Sequence, residues 1–364
     1  MFKEYKNFDA TGLAELLAKK EISPEELLDE AIFQTETIDP LINAISQRHF
    51  ELAKEQLNQN LAGPFYGVPF LLKDLHASLK GTITSDGSRL NEKNLAGLTD
   101  TLTQRCLDAG LVIFGKTNSP EFGLTVTTEP VLHGPTRNPW NLDHSAGGSS
   151  GGAAAAVAAG IIPMAQATDG GGSIRIPASC CGLVGLKPTR ARTPRGPGVF
   201  EGWAGQSIAH CVSISVRDSA LLLDATAGAE VGSPYHAPYQ ENSFVSTLKN
   251  KIGALKIAYI VPDFVSLDSE VAEVMKKTMN LLETLGHKVE SQTINLPYED
   301  MMNTIAVIIS SSMANNIDEV ERLDPFVGCY KPAKRTKKNE EKLLQLMELV
   351  RPNKRYGWTI CSPV

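Results

Sequence analysis

The chain has 364 residues, 42% of them hydrophobic, which is enough to bury one large core or two smaller ones. Its formal net charge of −6 gives no general attraction to nucleic acid or to an anionic membrane, so neither is expected as a partner. Six cysteines in a chain this long form no disulfide framework, and the N-terminus lacks the apolar core of a signal peptide, so we expect reduced thiols and a cytoplasmic location.

The first 200 residues alternate between helix signals and short apolar runs. Ser23-Pro24-Glu25-Glu26 combines a capping-box spacing with proline at the first helical position, and this pattern predicts a helix start. The other predicted elements are the helices Thr101–Ala109 and Ala153–Ala159 and the strands Gly67–Leu72, Leu111–Phe114, Ile161–Ala167 and Val184–Leu186.

The same alternation continues in the later part of the chain. Lys256–Val261 is predicted as a strand, Ser269–Leu285 as an amphipathic helix and His287–Ile294 as a second strand. Strands that alternate with helices predict an α/β sandwich around a largely parallel sheet.

Two short motif matches lack the structural context that their chemistry needs. Gly110–Thr117, G-L-V-I-F-G-K-T, has the letters of a phosphate-binding loop, but its four central residues read as a strand and a helix precedes it. Gly147–Gly151, G-G-S-S-G, has the letters of a nucleophile elbow, which requires a strand running into the serine. The preceding N-P-W-N-L-D-H-S-A shows no strand, so we predict neither a nucleotide site nor an elbow.

A run of three glycines lies directly before Ser173, in the segment T-D-G-G-G-S-I-R-I-P-A. Glycine lets the backbone take conformations that bring successive N–H groups together. An enzyme that hydrolyses acyl groups needs a nucleophile, a base and donors for the tetrahedral oxyanion. The sequence therefore predicts an oxyanion hole at Gly170, Gly171 and Gly172, with Ser173 beside it.

Three motifs in order carry a resemblance to a known family. K-D at Lys73, G-G-S-S-G-G from Gly147 and D-G-G-G-S-I-R-I-P-A from Asp169 resemble the amidase signature family, and so does the 24-residue separation of Ser149 and Ser173. The resemblance implies a three-layer α/β/α sandwich around a mixed, largely parallel sheet. It calls for no cofactor, and the histidines show no metal-ligand spacing, so no metal is predicted.

Carried over by position, the resemblance implies a Ser–cis-Ser–Lys triad. Ser173 would be the nucleophile, Ser149 would follow a cis peptide bond and bridge the proton transfer, and Lys73 would be the final base. Lys73 must be neutral to accept a proton, so burial at a strand end should lower its pKa. On a strand, the adjacent Asp74 should point to the opposite face and miss the site.

Further polar residues are expected to hold the site in shape. Asp169 and Arg175 bracket Ser173, and we predict an ion pair between them that fixes the loop. Ser150 is predicted to donate a hydrogen bond behind the reacting groups.

The resemblance extends to about residue 320, and family members continue further. We therefore predict a C-terminally incomplete amidase domain over residues 1–324 and a basic tail of atypical sequence over residues 325–364. An inactive, truncated amidase is one interpretation of this ending.

The leading hypothesis is a serine amidase that hydrolyses a carboxamide or a small linear or cyclic amide through an acyl-enzyme. The small amide would be its ligand, and assembly as a homodimer is open. The alternative is the A subunit of a glutamyl-tRNA amidotransferase-like assembly. That subunit typically carries glutamine after S-I-R, where this chain has Ile176, and the difference favours the stand-alone enzyme.

Overall fold

A computed structural model describes residue 2 and residues 4–197, 199–234, 236–262 and 264–323. The described residues fall into two compact units, one up to residue 249 and one from residue 250, and each is described by itself. Among the described residues, no helix combines the length and the apolar composition that crossing a membrane requires.

The first unit contains eight strands and eight α-helices within its described residues. The strands are β1 Ile45–Arg48, β2 Pro69–Lys73, β3 Val112–Thr117, β4 Arg137–Asn138, β5 Asn141–Ser145, β6 Met164–Asp169, β7 Val184–Gly185 and β8 Ile208–Ser213. The helices are α1 Ala10–Ala18, α2 Pro24–Ile42, α3 Phe50–Leu57, α4 Thr101–Asp108, α5 Gly151–Ala158, α6 Arg175–Cys181, α7 Val216–Thr226 and α8 Phe244–Thr247.

Six of these strands form one mixed sheet in the order β1-β3-β2-β6-β8-β7. Parallel pairing joins its centre, β3 to β2 and β2 to β6, whereas β1, β8 and β7 pair antiparallel with their neighbours. Every residue of β2, β3 and β6 is buried, as expected for strands covered on both faces. The predicted strands in this part of the chain are therefore confirmed, and parallel pairing is confined to the middle of the sheet.

Helices pack against this sheet because the contact removes their apolar faces from water. The first four alanines of α5, residues 153–156, are fully buried, and their small side chains let this helix lie against β6 and contact β1, β2, β3 and β8. Helices α2 and α3 pack together and reach β2 and β3, while α7 lies on β8 and packs with α4.

Local sequence signals explain several element boundaries. Helix α2 starts where predicted, because the Ser23 hydroxyl accepts from the Glu26 N–H and the Glu26 carboxylate accepts from the Ser23 N–H. The phosphate-loop match at Gly110–Thr117 is a helix end followed by β3, as predicted. Strand β8 and helix α7 were not predicted.

The second unit is described up to residue 323. It contains β9 Lys256–Tyr259, α9 Ser269–Thr284, β10 Lys288–Ser291 and α10 Tyr298–Leu323. Strands β9 and β10 pair in parallel, which confirms the predicted strand–helix–strand pattern. The predicted basic tail lies outside the described residues, and the boundary at residue 324 stays a prediction.

Candidate active site

Lys73 lies at the end of β2, at the centre of the sheet, and is fully buried. Its Nζ donates to Ser149 Oγ at 2.7 Å and to Thr168 Oγ1 at 2.9 Å. Burial lowers the pKa of Lys73 to about 7, and the negative charges of Asp169 and Asp86 oppose this shift only in part. The predicted depression of this pKa is confirmed, so the neutral amine is accessible near neutral pH.

Asp74 points away from Lys73, as the alternation of side chains along a strand predicts. Its carboxylate accepts from the Ser85 N–H at 2.8 Å, from the Ser85 hydroxyl and from Ser46 Oγ. His133 Nε2 lies 3.5 Å from the same carboxylate. Asp74 therefore belongs to a separate buried network.

Ser149 lies in the turn between β5 and α5, and its side chain is almost completely buried. The Gly148–Ser149 peptide bond is cis, as the resemblance implied. A Cβ at position 148 would lie 2.6 Å from the carbonyl oxygen of Thr127, so only glycine fits there. Thr128 Oγ1 anchors the same turn by donating to the Gly147 carbonyl at 2.9 Å and accepting from the Gly151 N–H at 3.1 Å.

The absence of a strand before Ser149 was wrongly predicted. Strand β5 covers Asn141–Ser145 and pairs with β4 in a two-stranded hairpin whose β5 residues are all exposed. The apolar alternation that identifies a half-buried strand is therefore missing from its sequence. The hairpin is not part of the six-stranded sheet, and the partner of Ser149 is a lysine, so the elbow remains unsupported.

Ser150 ties the Ser149 turn to the end of β6. Its hydroxyl donates to the Thr168 carbonyl and accepts from the Thr168 N–H, both at 3.3 Å. Its own N–H donates to the Ser173 carbonyl at 3.2 Å. The prediction that Ser150 donates a hydrogen bond behind the site agrees with these contacts, and the turn and the glycine loop are held side by side.

Ser173 is half-buried and follows the glycine run after β6. Within the described part of the chain, its Oγ has no hydrogen-bond partner, and no hydrogen bond joins it to Ser149 Oγ. The hydroxyl of Ser173 is therefore available to a ligand, on a loop fastened to the turn that carries Ser149.

Asp169 and Arg175 form the predicted ion pair in bidentate geometry, with both N–O distances at 2.9 Å. Burial would raise the pKa of Asp169, but the hydrogen bonds and charge of Arg175 and backbone N–H groups lower it overall. The same carboxylate accepts from the N–H groups of Gly172 at 2.8 Å and Ile174 at 3.2 Å. Asp169 therefore shapes the loop around Ser173.

This contact corrects one part of the predicted oxyanion hole. The N–H of Gly172 is directed at Asp169, so it is not free to bind an oxyanion. Among the described residues, the N–H groups of Gly170, Gly171 and Ser173 have no protein acceptor. A Cβ on Gly170 would lie 2.8 Å from the Trp203 ring, so an indole packs against the backbone of this loop.

Sequence reasoning missed two polar residues of β6 that lie next to Lys73. Thr168 is the second acceptor for Nζ, and the Gln166 side chain accepts from the Lys73 N–H at 2.8 Å. They alternate with Ala165 and Ala167 on a fully buried strand, so they share one face. Polar residues at every second position of a buried strand were the signal that could have found them.

Comparison with known proteins gives the family. A family model described as amidase matches residues 26–351. The chain belongs to the amidase family. A 6-aminohexanoate-cyclic-dimer hydrolase of Paenarthrobacter ureafaciens is 43% identical over 329 residues, which cover 88% of this chain and 66% of the relative. The chain thus spans slightly less than two thirds of that curated relative.

Solved structures of amidases match this chain as well. A 6-aminohexanoate cyclic dimer hydrolase complexed with substrate gives a TM-score of 0.81 at 37% identity, covering 87% of this chain and 67% of that one. The A subunit of a glutamyl-tRNA(Gln) amidotransferase from Thermotoga maritima gives 0.71 at 28% identity, covering 95% and 75%. The fold is therefore the amidase-signature α/β fold with a mixed sheet, and the resemblance drawn from the three motifs is confirmed.

Proposed function

We propose that this amidase is a serine amidase in which Lys73, Ser149 and Ser173 form the catalytic triad. The observation that carries the proposal is the buried Lys73 amine between two hydroxyl groups. A hydroxyl both accepts and donates, so Lys73 keeps hydrogen bonds in its charged and its neutral form. A base that keeps its hydrogen bonds in both protonation states, and whose pKa lies near the operating pH, is suited to moving a proton.

The proposed reaction proceeds through an acyl-enzyme. Ser173 Oγ attacks the amide carbonyl carbon while its proton passes to Ser149 Oγ, and the Ser149 proton passes to Lys73 Nζ. The C–N bond then breaks, and the leaving amine takes a proton back through Ser149. Water cleaves the ester on Ser173 by the same relay and releases the acid.

Backbone N–H groups would stabilise the tetrahedral oxyanion. We assign this role to Gly170, Gly171 and Ser173, because Gly172 donates to Asp169 instead. The ion pair of Asp169 with Arg175 supports the proposal, since it fixes the loop on which these donors lie.

We propose a small linear or cyclic amide as the substrate, acted on by this chain without a second protein. The similarity to hydrolases named for the 6-aminohexanoate cyclic dimer supports this substrate class. Ile176 Cδ1 lies 2.6 Å from where a Cβ of Gly172 would be, so an apolar side chain packs on the glycine loop. At this position a glutamine is typical of the amidotransferase subunit. A cytoplasmic location remains a prediction from the sequence, and assembly as a homodimer stays open.

Labelling with a serine-directed fluorophosphonate tests the nucleophile. We expect the wild type to be labelled and Ser173→Ala to be unlabelled. Ser179→Ala is the matched control, because Ser179 is exposed on α6 and has no proposed role. Labelling that persists in Ser173→Ala, with the mass shift on another serine, would remove Ser173 from the mechanism. Release of amine from small amides by the purified chain then separates the stand-alone hydrolase from an inactive protein and from one that needs partners.

A further inference from the structure

Three non-glycine residues with left-handed backbone meet beside the Lys73–Ser149 pair. The φ angles are +55° at His76, +50° at Asp86 and +52° at Phe122. Side chains other than glycine adopt this region rarely, although Asp and Asn tolerate it better than most. Such conformations cluster where the surrounding structure imposes them, often at functional sites. Contacts around these three residues must therefore stabilise their left-handed conformations.

Asp86 holds the junction together. Its Oδ1 accepts from the His76 N–H at 2.9 Å, and its Oδ2 accepts from Asn91 Nδ2 at 3.0 Å. Its backbone carbonyl accepts from the Phe122 N–H at 2.7 Å. One residue thus joins the loop after β2, the turn at Asn91 and the turn Glu121–Gly123.

The junction is in contact with the proposed triad. A Cβ at Gly123 would lie 3.2 Å from Ser149 Oγ, so this backbone packs directly on the hydroxyl that accepts from Lys73. Phe122, fixed by Asp86, immediately precedes that glycine. The position of Asp86 therefore determines how closely the wall of the site approaches Ser149.

Charge points to the same residue. The groups that act electrostatically on Lys73 or respond to it are Asp169, Asp86 and His76. Asp169 has the larger effect on Lys73 and forms an ion pair with Arg175, whereas among the described residues no lysine or arginine forms an ion pair with Asp86.

Asp86 is itself a titrating group. Burial raises its pKa to about 6, so it is mostly ionised at pH 7. The other charged or titratable groups that act on it are His76, Asp74 and Lys116, and its own charge acts on Arg195. Of the two carboxylates that act on Lys73, Asp86 is thus the one that no lysine or arginine pairs with among the described residues.

We propose that Asp86 is a positioning residue of this site: it holds the Phe122–Gly123 backbone against Ser149, and its charge retains the proton on Lys73. The inference rests on the proposed function, because it assigns a role relative to the proposed base. Removing the charge should make Lys73 give up its proton at lower pH.

Direct titration of Lys73 tests this without requiring activity. In protein labelled with ¹³C at lysine Cε, the Lys73 resonance is the one missing from Lys73→Met. We expect Asp86→Asn to lower its midpoint by about 0.5 to 1 pH unit. Asn suits the variant because it tolerates left-handed backbone and its carbonyl still accepts from the His76 N–H, so that only the acceptor for Asn91 Nδ2 is lost with the charge. Glu121→Gln is the matched control on a neighbouring exposed carboxylate, and it should leave the midpoint within about 0.2 unit.

The outcomes separate this inference from the proposed function. An unchanged or raised Lys73 midpoint in Asp86→Asn overturns the inference, even if wild type hydrolyses amides. If Asp86→Asn lowers the Lys73 midpoint but the wild type hydrolyses no small amide, the result supports the inference and rejects the proposed function. Should Asp86→Asn fail to fold, the reciprocal measurement decides: Lys73→Met should raise the Asp86 midpoint by a similar amount, because coupling between two sites is symmetric. An unchanged Asp86 midpoint would overturn the inference.

Discussion

Two lysines are fully buried at the ends of neighbouring parallel strands, Lys73 on β2 and Lys116 on β3. Lys73 donates to the hydroxyls of Ser149 and Thr168. Lys116 donates to the carbonyls of Ala77 and Ile83 and to one hydroxyl, and the distances range from 2.6 to 2.9 Å. The two side chains have the same chemistry and burial but different partners.

The difference separates a lysine suited to moving a proton from one suited to holding a loop. Carbonyl oxygens only accept, so Lys116 satisfies them best as an ammonium with three donors. Burial lowers the pKa of Lys116 to about 8, against about 7 for Lys73, and the acids Asp74, Asp86 and Asp100 raise it in part. Lys116 therefore fastens the loop after β2, while Lys73 can lose its proton among hydroxyls.

The largest effect is expected from a substitution that prevents Lys73 from losing its proton. Lys73→Arg keeps a permanent positive charge, because guanidinium is not deprotonated at accessible pH. We expect kcat/KM for amide hydrolysis to fall by about 10²- to 10⁴-fold, as for loss of a general base. Near-normal turnover in Lys73→Arg would show that the lysine is only a positioning charge.

Lys73→Met supplies the folding control for that experiment. In the wild type, the folded-state pKa of about 7 lies below the ordinary value of 10.5, so stability rises with pH between these values. We therefore expect Lys73→Met to be more stable than wild type at pH 6 and this advantage to shrink as pH rises above 7. Thermal unfolding at several pH values measures it.

The next effect concerns Lys116 and appears in stability. Lys116→Met leaves the carbonyls of Ala77 and Ile83 without their donor in a buried region. We expect the free energy of unfolding to fall by about 2 to 4 kcal/mol. Denaturant titration measures the loss, and a Lys116→Met protein as stable as wild type would contradict the assignment of Lys116 as a structural anchor.

The smallest effect is expected from a substitution of Thr168, which accepts a hydrogen bond from Lys73. Thr168→Val keeps the shape of the side chain and removes one acceptor from the amine, so the ammonium form becomes less favourable. We expect the midpoint of the pH–activity limb to move to lower pH by about 0.5 unit and the maximal rate to fall by about 3- to 10-fold. Steady-state kinetics across pH measure both, and a limb moved to higher pH would contradict the role given to Thr168.

Much of the site could be predicted because its residues lie in compact local motifs. Lys73, Ser149, Ser150, Asp169 and Ser173 all lie within the three motifs, and the structure brings them together at the ends of β2 and β6 and the start of α5. The Asp169–Arg175 pair could be predicted because it spans six residues of one loop.

What escaped prediction depends on contacts between distant parts of the chain. Thr168 accepts from Lys73, although 95 residues separate them in the sequence. Asp86 and Phe122, which are joined by a backbone hydrogen bond, lie in different loops. No short sequence spacing predicts either contact. The hydrogen bond from the Gly172 N–H to Asp169 depends on the backbone conformation of a glycine, and the sequence does not fix that conformation. Strand β5 escaped because all of its residues are exposed.

The most direct test of the central claim measures kcat/KM against pH and the Lys73 Cε titration on the same protein. Lys73 as the base requires activity that rises with pH through a limb near 7, where burial places the pKa of this lysine. We expect the kinetic midpoint and the Lys73 midpoint to coincide, and the limb to vanish in Lys73→Arg. A Lys73 midpoint near the ordinary value of 10.5, with full activity at pH 7, would contradict the account.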